Sequence, residues 1–174
     1  ATAACLTVVE PCSNGLGSDG FAIVWMKDRM YGMNSSGCSP YEISADQITE
    51  IPKRGWIPVT VPGAVKGWKA LSERFGVLPF KQLLEPAIDY ARNGYPVSAE
   101  IARMWKKALN AIPNTEEFNG WYDTFTFDGK TPEAGQMVCM PKLADALEKI
   151  ADTKTDALYY GELADRIDEE SRKF

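Results

Sequence analysis

Apolar residues recur at the helical period of about 3.6 over most of the chain that follows Gly63. In the segment AVKGWKALSERFG, for instance, Val65, Trp68 and Leu71 share one face of the predicted helix. The same spacing recurs in PFKQLLEPAIDYARNG, AEIARMWKKALNAI, KLADALEKIAD and TDALYYGELADRIDEESRKF. We therefore predict a helical region over residues of about 63–174.

Several residues in this region are of the kind that begin or interrupt helices. Ser98 is placed as an N-cap, and Pro141 fits the first turn of the helix that it opens. Pro86 lies inside a helical segment and should kink that helix or split it in two. The aromatic run FNGWYDTFTFDGK is predicted to be a loop. Its aromatics from Trp121 to Phe127 either pack this loop onto the helices, which we favour, or form a platform for a sugar.

The first half of the chain has a different pattern. An apolar run over residues 1–10 is typical of a helix and ends before Pro11, because the residue before a proline avoids the helical conformation. The segments FAIVWMKD and RMYGMNSS are rich in apolar and aromatic residues and predict a β-hairpin over about residues 21–37, with a tight turn near Asp28–Arg29. The order predicts an α+β, predominantly helical chain with one hairpin, in a single domain spanning residues 1–174.

Composition excludes several classes of partner. A net charge of −5 argues against a nucleic-acid or anionic-membrane surface, which needs clustered Lys and Arg. No apolar run approaches the roughly 20 residues of a membrane span. The absence of a signal segment slightly favours the cytoplasm. The chain opens on ATAACLTVVEP without an initiating Met, however, and we expect it to be a fragment whose first helix starts upstream.

The chain contains no histidine and four widely spaced cysteines. It therefore holds no Ser-His-Asp or Cys-His catalytic apparatus and no Cys/His zinc site. We expect the cysteines to be buried or inert thiols, since a domain of this size does not need a disulfide. We predict no cofactor and no metal site.

The stretch SNGLGSDG fits the G-x-G-x-x-G pattern of a dinucleotide-binding loop. Such a loop must follow a strand and open a helix, whereas this one follows a predicted helix and opens a strand. We therefore interpret the glycines as residues that supply positive φ and room for close backbone approach. The loop is either a plain tight turn or a binding loop that presents backbone N–H groups at the mouth of a site.

Five separated segments resemble one known family in the same order. They are EPCSNGLGSDGFAIVW, YGMNSSGCSP, VTVPGAVKGW, FGVLPFKQLLEPAIDYARNGYPVS and LYYGELADRI. Together they resemble the large-subunit half of gamma-glutamyltranspeptidase, and more closely its acylase-like relatives. The resemblance implies an N-terminal-nucleophile hydrolase with a four-layer α/β/β/α fold, of which this chain is part of the large subunit.

What the resemblance implies about chemistry lies mostly outside this chain. The precursor of such an enzyme cuts itself, and a Thr that becomes the first residue of the small subunit attacks the acyl carbonyl. The free α-amine of that Thr can serve as its base, so no histidine is needed. We therefore place no catalytic residue in this chain and expect it to be inactive alone. Its implied partners are the rest of the large subunit, the small subunit and a small acyl-amide substrate such as a γ-glutamyl compound.

The sequence departs from the family pattern where the substrate is bound. In the transpeptidases an Arg, four residues before a Pro in the second hairpin strand, pairs with the α-carboxylate of the γ-glutamyl group; here that position is Ser36. Acylase-like relatives have an Arg two residues before the Pro, where this chain has Cys38. Asn34 should share a face with Ser36 because side chains alternate along a strand. We expect Asn34 and Ser36 to form a neutral, polar substrate-binding surface, unless Ser36 is only a strand residue and the pocket is built elsewhere. Such a surface suits an acyl group with a neutral polar end, or one whose carboxylate pairs with an Arg further downstream.

A second departure is Ser18, which replaces a family glycine and would be strained at positive φ. Glu10 and Asp19 flank the loop and suggest either an acid–base pair or, as we favour, solvated or capping carboxylates. The acidic residues 168–170 are typical of a solvated helix face. Two other functions stay open: a non-catalytic helical module that binds a partner, and an inactive homologue.

The resemblance also predicts how the isolated chain behaves. In the intact enzyme the hairpin joins a large sheet that other segments supply in part. Alone, the hairpin lacks part of the cover for its apolar residues Phe21, Ile23, Val24 and Trp25. Because unpaired strand edges invite pairing with another chain, we expect self-association or a partly disordered hairpin.

Overall fold

Helices and two small antiparallel sheets make up the structure, a computed structural model that describes residues 1–44, 46 and 48–174. Two units are distinct, one formed by Ala1–Gly15 with Lys81–Asp152 and the other by Leu16–Phe80 with Thr153–Phe174. That residues 1–174 act as a single domain stays a prediction. The elements are α1 (Thr2–Val9), β1 (Gly20–Met26), β2 (Arg29–Ser35), α2 (Ala64–Phe75), α3 (Phe80–Asn93), β3 (Tyr95–Pro96), α4 (Ala99–Ala111), α5 (Asn119–Phe125), β4 (Met137–Val138), α6 (Pro141–Asp152), α7 (Asp156–Tyr159) and α8 (Glu162–Ser171).

The unit of residues 1–15 and 81–152 buries its apolar side chains between α1, α3, α4 and α6. The fully buried ones include Val8, Leu84, Trp105, Leu147 and Ile150. Ion pairs between exposed side chains tie α3 to α6 at the surface, but such pairs add little stability compared with the apolar core. The core therefore holds this unit together.

The predicted ends of these helices are largely confirmed. The Ser98 side chain accepts a hydrogen bond from the Ile101 backbone N–H at 3.3 Å, as an N-cap does. α6 begins at Pro141. Of the two outcomes predicted for Pro86, the split does not occur, since α3 is one continuous helix with this proline inside it; the kink stays a prediction. The last predicted helix does divide, into α7 and α8, on either side of Gly161.

The aromatic run predicted to be a loop contains the short helix α5. Its Phe125 ring lies 5.9 Å from the Trp105 ring centroid, and Phe127 lies 6.4 Å from the same ring. The Trp105 indole N–H also donates to the Phe125 carbonyl oxygen at 2.7 Å. The buried indole N–H thus has a hydrogen-bond acceptor, and the ring contacts confirm that the aromatics pack onto a helix.

The hairpin is the central feature of the unit of residues 16–80 and 153–174. β1 and β2 pair antiparallel from Gly20 with Ser35 to Met26 with Arg29. The turn is Lys27–Asp28, one residue earlier than predicted, with φ of 50° and 56°. Two consecutive residues of positive φ are typical of a two-residue hairpin turn, whose twist matches that of the flanking strands.

One face of the hairpin packs on α2, and the other is exposed. The exposed side chains are Phe21 (70%), Ile23 (79%), Trp25 (68%) and Met30 (65%). The predicted lack of cover is thus confirmed for three of the four residues named above. Val24 is the exception, because it points to the opposite face and is half-buried.

We expect the isolated chain to self-associate through this face, because contiguous exposed apolar side chains on an open sheet favour association. Sedimentation equilibrium should show a mass that rises with concentration. The double change Ile23→Thr and Trp25→Thr should weaken association at least about tenfold, while Val77→Thr, which alters an exposed residue outside the strands, should not. A monomer at all concentrations with an ordered hairpin would contradict this expectation.

Candidate functional site

Segments that are far apart in the sequence meet at the end of the hairpin opposite its turn. The Ser18 carbonyl oxygen, in the glycine-rich loop, accepts hydrogen bonds from the Gly63 and Ala64 backbone N–H groups at 3.1 and 2.8 Å. The Ser35 hydroxyl, at the end of β2, donates to the Gly63 carbonyl oxygen at 2.6 Å. The loop, the second strand and the start of α2 are therefore joined by direct hydrogen bonds.

The backbones at this junction approach so closely that only glycine fits. A Cβ atom at Gly63 would lie 1.9 Å from the Ser35 carbonyl oxygen, and one at Gly37 would lie 1.5 Å from the Val61 carbonyl oxygen. At Gly67, inside α2, a Cβ would lie 2.9 Å from the Ser35 hydroxyl oxygen. These glycines let the helix and the loops pack directly on the end of β2.

The fourth segment in this unit, LYYGELADRI, contributes a tyrosine. The Tyr159 hydroxyl donates to the Pro62 carbonyl oxygen at 2.8 Å and accepts from the Lys66 backbone N–H at 3.1 Å. Burial raises the pKa of Tyr159, whereas the Lys66 backbone and charge act in the opposite direction. The hydroxyl thus fixes the residues that lead into α2.

Three polar side chains stand exposed beside this junction. The Asp19 carboxylate accepts a hydrogen bond from the Gly37 backbone N–H at 3.2 Å and a long one from the Ser36 hydroxyl at 3.4 Å. The Asn34 side-chain oxygen accepts from the Ser36 backbone N–H at 2.9 Å. Asn34 and Ser36 are both exposed while the intervening Ser35 is half-buried, as strand alternation predicts. We call Asp19, Asn34 and Ser36 the polar cluster.

Sequence reasoning found two members of the polar cluster and assigned the third another role. The sequence predicts Asp19 to be a solvated or capping carboxylate, or half of an acid–base pair with Glu10. Asp19 accepts hydrogen bonds from the Ser36 hydroxyl and the Gly37 backbone N–H, 17 and 18 residues away in the sequence. Glu10 has its own local partners, Ser13 and Asn14. Both carboxylates therefore act as hydrogen-bond acceptors within their own surroundings.

The glycine-rich loop does precede strand β1, which confirms that it is not a dinucleotide-binding loop. The predicted positive φ is wrong for Gly17 and Gly20, and Ser18 does not adopt one either. Close approach is confirmed at Gly20, where a Cβ would lie 3.3 Å from the Ala64 Cα. Packing on α2, rather than backbone strain, accounts for this glycine.

The acidic run 168–170 and the turn at Asp128–Gly129 have structural roles. Asp168, in the acidic run 168–170, pairs with Arg172 at 2.8 Å on an exposed helix face, as predicted. Asp128 and Gly129 form a tight turn between Phe127 and Lys130. Among the described residues, no group of His, Cys, Asp and Glu side chains could hold a metal ion.

All four cysteines are free thiols. Two of them are exposed, so the prediction of buried or inert thiols leaves only the inert alternative for these two. Cys38 and Cys139 are exposed, while Cys5 and Cys12 are half-buried. Burial raises the pKa of the Cys5 and Cys12 thiols, which makes them less nucleophilic. In the part of the chain that the structure describes, no helix is both long and apolar enough to cross a membrane.

The whole chain is similar to one family of known proteins. The profile of the gamma-glutamyltranspeptidase family matches residues 1–174. The glutathione hydrolase-like YwrD proenzyme of Bacillus subtilis is 38% identical over 96% of this chain, and the oxamate amidohydrolase proenzyme of Klebsiella pneumoniae is 34% identical over 96%. The crystal structure of cephalosporin acylase from Bacillus halodurans superposes with a TM-score of 0.95 at 40% identity, covering 99% of this chain and 34% of that one.

The mostly helical fold, with its hairpin, is that of part of an N-terminal-nucleophile hydrolase large subunit. The chain belongs to the gamma-glutamyltranspeptidase family. It spans about a third of the length of the two curated relatives, 32% and 33%. The family's known members include glutathione hydrolases and acylases.

Proposed function

We propose that this chain is part of the large subunit of an enzyme that hydrolyses or transfers γ-glutamyl or related acyl amides. The nucleophile is an N-terminal Thr that lies outside residues 1–174. The observation that carries the proposal is the polar cluster at the convergence of four family segments. These segments come from distant parts of the sequence, yet they are held together by hydrogen bonds and by glycine contacts that admit no side chain.

In this proposal the chain binds the acyl group and does not carry the reacting atoms. Asn34 and Ser36 supply an amide and a hydroxyl, which can each donate and accept hydrogen bonds. The junction beneath them is fixed by Ser18, Ser35 and Gly63, so the cluster is preorganised on rigid backbone. The Thr supplies the attack on the carbonyl, and its own α-amine takes the proton.

The partners in this proposal are the remaining large-subunit segments and the small subunit of the same precursor. Two relatives that match most of this chain are named proenzymes, which supports a precursor that is cut into subunits. The exposed apolar face of the hairpin supports the same conclusion, since a sheet face of this composition is stable when covered.

We expect the intact protein to cut itself into two polypeptides, the smaller of which begins with Thr. Mass spectrometry of the purified protein measures this directly. Replacing that Thr with Ala should leave one uncut chain, which serves as the control. An intact protein that is never cut and turns over no acyl amide would instead support an inactive homologue or a non-catalytic binding module.

Residues 1–174 alone should hydrolyse no γ-glutamyl anilide above background, because they lack the proposed nucleophile. Release of the aniline chromophore measures this against a buffer blank. Turnover by the purified fragment that is abolished by Ser36→Ala would contradict the proposal, since the active group would then lie within this chain.

A further inference from the structure

The polar cluster carries a negative charge, whereas the carboxylate of a γ-glutamyl group requires a positive one. Ser36 occupies the position at which the transpeptidases place an Arg, and the Asp19 carboxylate lies 3.4 Å from the Ser36 hydroxyl oxygen. We propose that Asp19 sets the charge selectivity of the site, favouring acyl groups that end in an amine over those that end in a carboxylate. This inference rests on the proposed function, because it concerns the same acyl-binding surface.

Hydrogen bonds hold the Asp19 carboxylate in the cluster. One of its oxygens accepts from the Gly37 backbone N–H at 3.2 Å and the other from the Ser36 hydroxyl. An acyl group that reaches Ser36 therefore also reaches this carboxylate. A like charge at such a distance repels, whereas an ammonium group is attracted and can donate a charge-assisted hydrogen bond.

Three cations of this unit, Lys66, Arg74 and Arg172, lie against groups other than Asp19. Lys66 lies over the rings of two tyrosines, 5.1 and 5.7 Å from their centroids. Arg74 lies over aromatic rings at 4.5 and 5.4 Å, and Arg172 pairs with two other carboxylates. Repulsion of an unwanted group is a common source of specificity, and Asp19 supplies it here.

The same hydrogen bonds also give Asp19 a structural role, and the two roles can be separated. Asp19→Asn keeps a side-chain oxygen that can accept from the Gly37 N–H but removes the charge. A purely structural role predicts little change, or an equal change for every substrate. A role in charge selectivity predicts opposite changes for substrates of opposite charge.

Three anilides of similar size test this on the intact, self-cleaved protein: 4-aminobutyryl, glutaryl and butyryl anilide. Their acyl groups end in an amine, a carboxylate and a methyl group. We expect the wild-type protein to prefer the 4-aminobutyryl over the glutaryl substrate by about tenfold or more in kcat/KM. Asp19→Asn should reduce that ratio about tenfold, with each value of kcat/KM expressed relative to that for butyryl anilide in the same variant. High salt should reduce the ratio in the wild-type protein as well.

Asp28→Asn is the matched control, since it removes an exposed carboxylate from the turn at the other end of the same hairpin, at a positive φ that Asn accepts. The ratio of kcat/KM for 4-aminobutyryl anilide to that for glutaryl anilide should be the same in this variant as in the wild-type protein. A wild-type preference for glutaryl anilide, or an unchanged ratio in Asp19→Asn, would overturn the inference while leaving the enzyme proposal standing. Absence of turnover on all three anilides and on γ-glutamyl anilide, in uncut protein, would overturn both.

Discussion

Replacing Gly63 with alanine should destabilise the junction beneath the polar cluster by about 3 kcal/mol or more, at or above the upper end of what overpacking costs. The new Cβ would lie 1.9 Å from the Ser35 carbonyl oxygen and 2.7 Å from its carbonyl carbon. Both are backbone atoms of β2, so no side-chain rotation relieves the contact. The start of α2 must therefore move away from the strand.

Hydrogen exchange of the intact protein measures this locally. The Gly63 and Ala64 amides donate to the Ser18 carbonyl oxygen in the native structure, so they should exchange much faster in the Gly63→Ala variant. Gly17→Ala is the matched control. Gly17 precedes Ser18 in the glycine-rich loop, and a Cβ there would meet no atom within 4 Å. We expect the control to change stability by less than about 0.5 kcal/mol. Equal exchange in the two variants would show that the junction does not depend on this close approach.

The combined change Ser36→Arg and Asp19→Asn should raise kcat/KM for γ-glutamyl anilide about a hundredfold, equivalent to about 2.7 kcal/mol. The guanidinium restores the bidentate partner of a carboxylate, and the second change removes the competing negative charge. Ser36→Arg alone should give a smaller gain, about tenfold, because the new guanidinium also pairs with Asp19 beside it.

Two controls make this prediction specific. Butyryl anilide, which has no carboxylate, should show no comparable gain in kcat/KM in any of the variants. The single Asp19→Asn change should raise γ-glutamyl turnover less than the combined change does. An equal loss or gain for every substrate would show that Ser36 does not face the acyl group.

Local sequence signals predicted the helices and the hairpin because those signals act on neighbouring residues. Ser98 caps α4 through the backbone three residues away, and Pro141 opens α6 because its fixed φ and missing N–H suit a first turn. Strand alternation placed Asn34 and Ser36 together for the same reason. At Pro86 the helix does not split, since α3 continues through it despite the lost hydrogen bond.

What the sequence could not show depends on contacts between distant segments. The role of Gly63 and Gly37 comes from the approach of β2, and nothing in either local pattern distinguishes these glycines from turn glycines. The position of Asp19 beside Ser36 likewise follows from the path of the glycine-rich loop. The aromatic run became partly helical because Trp105 offers it a surface to pack on, which local propensity does not include.

A crystal structure of the intact, self-cleaved protein with an acyl group trapped on its N-terminal Thr tests the central claim most directly. We expect the far end of the acyl group to lie within hydrogen-bond distance of the Ser36 hydroxyl or the Asn34 amide, with Asp19 alongside. An acyl group bound away from the end of the hairpin, with these three side chains in solvent, would contradict it.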